Sequence, residues 1–187
     1  LGRSYVKMPA GAIDFDAWVD GIRDGRCYVT DGMSHLFDFT VGGVAMGEAG
    51  PGGVISQLEL DEAGTVMIGA RVAARLGTRP DPGLHNRPLD EQPYWHLERA
   101  RIGESRRVPV ELIVNGEAVA RQEIEADGEL RSLTFEHELQ HSSWVALRIF
   151  PSSHTNPVFV EVNGKPIRAS RRSAKWCLKA VDVCWEQ

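Results

Sequence analysis

The chain has 187 residues, a length that fits one domain and suffices to bury a sizeable core without disulfide support. Its 21 Lys and Arg stand against 26 Asp and Glu, a balance of −5, and no cationic tract exceeds Arg171-Arg172, so the electrostatic footprint of a nucleic-acid binder is missing. With 42% hydrophobic and 25% charged residues the composition is that of an ordinary globular protein. No apolar run approaches the roughly 20 residues that span a bilayer, so neither nucleic acid nor membrane is an expected partner.

Leu1 is not an initiator Met, and the stretch through Val6 lacks the basic-then-apolar pattern of a secretory signal, so the expectation is a piece of something longer. The first element is a helix from Asp14 to Arg23. Phe15, Trp18, Val19 and Ile22 recur at helical spacing behind a capping Asp14, Gly25 ends the run, and the stripe is expected to face the core. Strand candidates follow at 26–31, 36–41 and 54–60, separated by Gly-containing turns. Segment 42–53 holds six Gly and Pro51 but no Gly-Lys-Ser/Thr ending, which excludes a phosphate-binding P-loop.

Val66, Ile68, Ala70, Val72, Ala74 and Leu76 alternate as one face of a strand, as do Val108, Val110, Leu112 and Val114, and later Val158, Val160 and Val162. Between the first two lies 77–93, with Pro80, Pro82, Pro88 and Pro93, which reads as a long excursion from the body, followed by a strand candidate at 94–102. Val114-Asn115-Gly116 and Val162-Asn163-Gly164 are hairpin signals, because a type I′ turn needs positive φ at both central residues. Strands are also expected at 118–124 and 143–150. Ala174, Cys177, Leu178, Val181, Cys184 and Trp185 give a C-terminal amphipathic helix over 173–186, capped by Ser173 and packed on the body, with Lys175, Lys179, Asp182 and Glu186 toward water. The fold class is therefore mainly β, an antiparallel β-sandwich with a short N-terminal helix and a C-terminal amphipathic helix. Cys27, Cys177 and Cys184 are odd in number and form no Cys-x-x-Cys, so they read as small buried hydrophobes.

Two stretches carry possible chemistry. His137-Glu138-Leu139-Gln140-His141 matches the pattern in which two His one helical turn apart hold zinc and the Glu activates its water. That reading needs a helix, which Asp127 would cap and Leu130, Leu133, His137 and His141 would continue, and a third ligand such as His154 or Glu161. Against it, Leu133, Phe135, His137 and Leu139 also alternate as a strand. The second stretch is aromatic: Tyr94 and Trp95, with Trp144, would form a platform for a sugar or peptide in a free-standing binding module.

A resemblance spans most of the chain outside 43–104. Gly2-Arg3-Ser4-Tyr5-Val6 followed by Phe15-Asp16-Ala17-Trp18-Val19-Asp20-Gly21-Ile22-Arg23-Asp24-Gly25-Arg26-Cys27-Tyr28-Val29-Thr30-Asp31-Gly32 resembles the end of the catalytic domain in the CehA/McbA family of PHP-type metallohydrolases. Val110 to Val119, Ser143-Trp144-Val145-Ala146-Leu147-Arg148 and His154-Thr155-Asn156-Pro157-Val158-Phe159-Val160 resemble that family's C-terminal β-domain. Asp31 stands where Asn is usual, and Met33-Ser34 where Pro-Leu often follows.

The resemblance implies a division into 1–32, the tail of an upstream catalytic domain, and 33–187, an accessory β-sandwich. It implies no catalytic residue and no cofactor in this piece, with the divalent metal held by the parent's upstream domain, which is then its partner. Arg26, Thr30, Asp31, Arg148, His154 and Asn156 carry over as structural or interdomain contacts. The expected work is to pack on that catalytic domain and shape access to it. The alternatives are the binding module of Tyr94 and Trp95 and the zinc peptidase of His137, Glu138 and His141.

Overall fold

The computed structural model describes residues 2–11, 13–88 and 90–185. Glu186, expected on the solvent side of the terminal helix, lies outside them, as does Leu89 of the 77–93 stretch. In chain order the elements are β1 (Arg3–Val6), α1 (Phe15–Arg23), β2 (Cys27–Thr30), β3 (Ser34–Val41), β4 (Val44–Ala45), β5 (Gln57–Leu60), β6 (Gly64–Ala74) and α2 (Pro82–His85). A 3₁₀ turn (Leu97–Ala100) follows, then β7 (Arg107–Val114), β8 (Glu117–Glu125), β9 (Arg131–Leu139), β10 (Ser143–Ile149), β11 (Ser153–Thr155), β12 (Val158–Val162) and α3 (Arg171–Trp185).

The strands make two sheets, the mainly β, antiparallel arrangement that the alternation predicts. The smaller sheet runs β4-β3-β6-β9. In the larger one β10 is central. β7 and then β8 extend it on one side, while β11 and β12 share its other edge. β11 leads on to β2 and β1, and β12 pairs in parallel with β5. β11 and β12 are one edge interrupted at Asn156-Pro157, where proline has no N–H to give the ladder.

Period-2 alternation explains the core. Leu36, Ile68 and Val72 of the smaller sheet and Val110, Leu112 and Leu147 of the larger are wholly buried in one apolar cluster. Asn115 at φ 52° and Gly116 at φ 94° turn β7 into β8 as expected. Asn163 and Gly164 also take positive φ, but this turn closes only a single bridge, between Val162 and Lys165.

Several expectations are corrected. The 94–102 stretch is not a strand: it holds the 3₁₀ turn, fastened by a buried Glu98–Arg101 pair. The preceding excursion is tied down, since the Arg99 guanidinium donates to the carbonyls of Arg87, Pro88, Pro93 and Tyr94. α1 is capped by Asp14 as expected, yet Phe15, Trp18, Val19 and Ile22 are exposed and only Gly21 is buried. α3 starts at Arg171 with Ser170 accepting from Ser173 and Ala174, so Ser173 is not its cap, and none of its described residues is buried. Strand side chains fill the space between the sheets and leave both helices outside it. The cysteines follow: Cys27 is half-buried, and Cys177 and Cys184 are exposed. Among the described residues no helix is long and apolar enough to cross a membrane.

The division at residue 32 is not a break in the sheets. β1 and β2 are hydrogen-bonded into the larger sheet, and Tyr28 and Thr30 are buried in the body of the sandwich.

Candidate functional site

Alternation along β10 sends Val145, Leu147 and Ile149 inward and leaves Trp144, Ala146 and Arg148 on the outer face of the larger sheet. Register then chooses their neighbours. Trp144 sits opposite Phe159, Ala146 opposite Ile113, and Arg148 between Glu111 and His154. With Phe150 and Pro157, all of these side chains except Glu111 line a trough of about 500 Å³. Outer faces of half-buried antiparallel sheets are ordinarily polar, so this apolar floor is unusual for its place in the fold.

Its polar rim is organised. Arg148 Nε donates to Glu111 Oε2 at 2.7 Å, and the same guanidinium lies 5.4 Å from the Phe150 ring centroid. Asn156 Nδ2 donates to the Gly25 carbonyl and to Cys27 Sγ, both at 3.2 Å, which ties the β11–β12 interruption to the end of α1. Burial pushes the Cys27 thiol up, against the lowering effect of that Asn156 bond. Three of the six residues carried over from the resemblance, Arg148, His154 and Asn156, thus meet on one trough. Ile113, Phe150 and Phe159 were not singled out by sequence. Their signal was aromatic and branched residues at the outward positions of otherwise alternating strands.

Thr30 and Asp31 lie elsewhere, in a polar hub between the sheets. Thr30 Oγ1 donates to the Ser34 carbonyl at 2.6 Å, and Ser34 Oγ lies 2.6 Å from Ser152 Oγ and 2.7 Å from Ser153 Oγ. Asp31 Oδ1 accepts from Met33 N and Ser152 Oγ, both at 2.8 Å, and its Oδ2 accepts from Leu97 N at 2.7 Å. These bonds satisfy the groups that make them, so the hub is structural. Arg26 pairs with Asp24 at 2.9 Å beside the α1 C-terminus, and its guanidinium reaches the Gly47 carbonyl at 3.5 Å.

The helix that a zinc peptidase requires is absent. His137 and Glu138 are consecutive on β9, paired with Val66 and Thr65, so their side chains leave opposite faces, and His141 lies beyond the strand end. Glu138 instead accepts from Gln140 Nε2 at 2.7 Å. Among the described residues no group of three His, Cys, Asp or Glu is placed to hold a metal ion. Tyr94 and Trp95 are exposed and adjacent, their ring centroids 6.5 Å apart at 66°, which is an edge contact and no flat platform. The trough that Trp144 lines includes neither of them.

Next to the hub, His35 Nδ1 is 2.8 Å from the Tyr28 hydroxyl. Burial lowers the His35 pKa, outweighing the raising effect of Asp31, so the imidazole is favoured neutral in the fold. The unfolded chain then takes up this proton more readily, and the stability present above the ordinary His value of about 6.5 is lost as pH falls through the lower folded value. The urea midpoint is expected to drop between pH about 7.5 and about 5.5, and His35→Gln should flatten this drop. An unchanged slope in the variant would assign the dependence to other groups.

No family model, curated protein or solved structure matches this chain.

Proposed function

We propose that this chain is a non-catalytic accessory β-domain that packs, through the outer face of its larger sheet, on a PHP-type metal-dependent hydrolase domain of the same polypeptide and shapes access to it. The observation that carries this reading is the trough of Ile113, Trp144, Ala146, Phe150, Pro157 and Phe159 rimmed by Arg148 and Asn156. An apolar centre with aromatic anchors and an arginine at its edge is the composition of a protein interface, and burying each such side chain is worth about 1.5–3 kcal/mol. The resemblance of the 143–148 and 154–160 stretches to the C-terminal β-domain of the CehA/McbA family supports the same reading, because those stretches supply most of the trough.

The test is association of this domain with the PHP-type domain encoded upstream in its reading frame, produced as separate chains and followed by calorimetry. Trp144→Glu with Phe159→Glu is expected to weaken binding about 30-fold or more, the effect of losing a central anchor. Equal affinity of wild type and double variant, or no complex at all, would sink the proposal.

A further inference from the structure

Where β6 ends, the β2–β3 turn and the β8–β9 connection close around a cleft of about 720 Å³, separate from the apolar trough. Backbone bonds join the three segments: Arg75 N donates to the Met33 carbonyl at 2.9 Å, and Leu76 N and Gly128 N donate to the carbonyls of Ala126 and Ala74, both at 2.8 Å. The walls are therefore held before any ligand arrives, which lowers the ordering cost of binding. Met33, Ala73, Ala74 and Leu76 give an apolar lining, and Thr78, Arg75 and Arg106 add donors. A third arginine adjoins: Arg3 Nη1 lies 2.8 Å from where a Cβ on Gly32 would stand, so glycine leaves the room that this guanidinium occupies.

The charges around the cleft do not balance. Asp127 is engaged by both terminal nitrogens of Arg131 at 2.7 Å and by Glu129 N at 2.9 Å, and the Arg131 fork holds its carboxyl well below the usual carboxylate range. Asp31 has both oxygens in the hub. Among the described residues the ion pairs include none made by Arg3, Arg75 or Arg106. Arg106 donates from Nη2 to the Ala126 carbonyl at 3.2 Å, while its buried Nε has no acceptor. In a chain with five more acidic than basic residues, three guanidiniums without a carboxylate around one cleft are out of place unless something anionic joins them.

We infer that this cleft binds a small organic oxyanion, its carboxylate or phosphate held by the Arg75 and Arg106 guanidiniums with Arg3 alongside, and its apolar body against Met33 and Ala73. The planar guanidinium fork fits either oxyanion with two parallel bonds, and the cleft volume falls in the range of small-molecule sites. The inference is independent of the docking proposal, because it uses none of the trough residues.

The experiment is calorimetric titration of the chain with phenyl phosphate and with benzoate, in buffer of moderate ionic strength. Saturable one-to-one binding of at least one probe is expected. Arg75→Ala should weaken it about tenfold, the effect of one charge-assisted contact, and Arg75→Ala with Arg106→Ala should abolish it. Arg121→Ala, outside the cleft, should leave it unchanged. Phenyl phosphate alone would assign a phosphate site, benzoate alone a carboxylate site, and both a general oxyanion site. Arg106→Lys, which keeps the charge and loses the fork, replaces the alanine variant if thermal unfolding shows that variant to be unfolded, and it should weaken binding. No saturable heat with either probe, wild-type affinity in Arg75→Ala, or an equal loss in Arg121→Ala would overturn the inference.

Discussion

Arg101→Met is expected to destabilise the fold by about 3–5 kcal/mol, the cost of leaving a buried charge without its partner. Glu98 and Arg101 retain 5% and 3% of their exposure, so neither has water to fall back on. Arg101 Nε donates to Glu98 Oε1 at 2.5 Å and Nη2 to Oε2 at 3.0 Å. The same guanidinium reaches the carbonyls of Ser105 at 2.8 Å and Gly77 at 2.9 Å, and Glu98 Oε1 accepts from Asp81 N at 2.9 Å. One pair therefore fastens the start of the proline-rich excursion to the 3₁₀ turn and to Ser105 beyond it.

Burial alone raises the Glu98 carboxyl, but Arg101, the Asp81 amide and His85 together outweigh it and hold it below its ordinary value. The stability this adds is present above the unfolded value and lost as pH falls through the folded one. In Arg101→Met the sign reverses: an unpaired buried Glu98 is raised, and the variant regains part of its deficit on acidification. Urea titrations at several pH values check this, and Glu98→Gln with Arg101→Met should recover much of the loss at neutral pH. A loss under about 1 kcal/mol in Arg101→Met would mean that water replaces the guanidinium and that the pair is no clamp.

Asp31→Asn is the second large effect, expected at about 1–3 kcal/mol, with Asp31→Ala costing more. A carboxylate accepts at both oxygens, and here both are used: Oδ1 takes Met33 N and Ser152 Oγ, and Oδ2 takes Leu97 N. An amide has one acceptor. Whichever way it turns, its NH₂ faces either the Met33 or the Leu97 N–H, and one backbone donor is left unsatisfied in the hub. Chemical denaturation of both variants measures it, and an Asn variant as stable as wild type would show that the Leu97 amide finds another acceptor.

These two positions also show what was legible in advance. Alternation gave β6, β7 and β12, and Asn115-Gly116 gave a hairpin, because both are local properties of a few consecutive residues, whereas the strand expected at 94–102 did not form. The stretch through Leu133, Phe135, His137 and Leu139 was ambiguous for the opposite reason, since its spacing satisfied a strand and a short helix alike. Pairing with β6 along its whole length decided for the strand, and that partner lies some seventy positions away in the chain. The six contact residues carried over from the resemblance do not lie together. Three gather on the trough, two in the hub and one beside α1.

By itself, then, the sequence determined the class of the fold: period-2 apolar residues, positive-φ turn pairs and capped helical stripes, each written in short-range spacing that backbone geometry converts directly into structure. It did not determine what covers each apolar stripe. α1 and α3 carry amphipathic patterns that promise burial, and the structure leaves both stripes exposed, because periodicity reports that a face is apolar and not which surface meets it. Tertiary structure alone set Trp144 against Phe159 and Arg148 between Glu111 and His154, since strand register and chain crossing choose neighbours that no local pattern encodes.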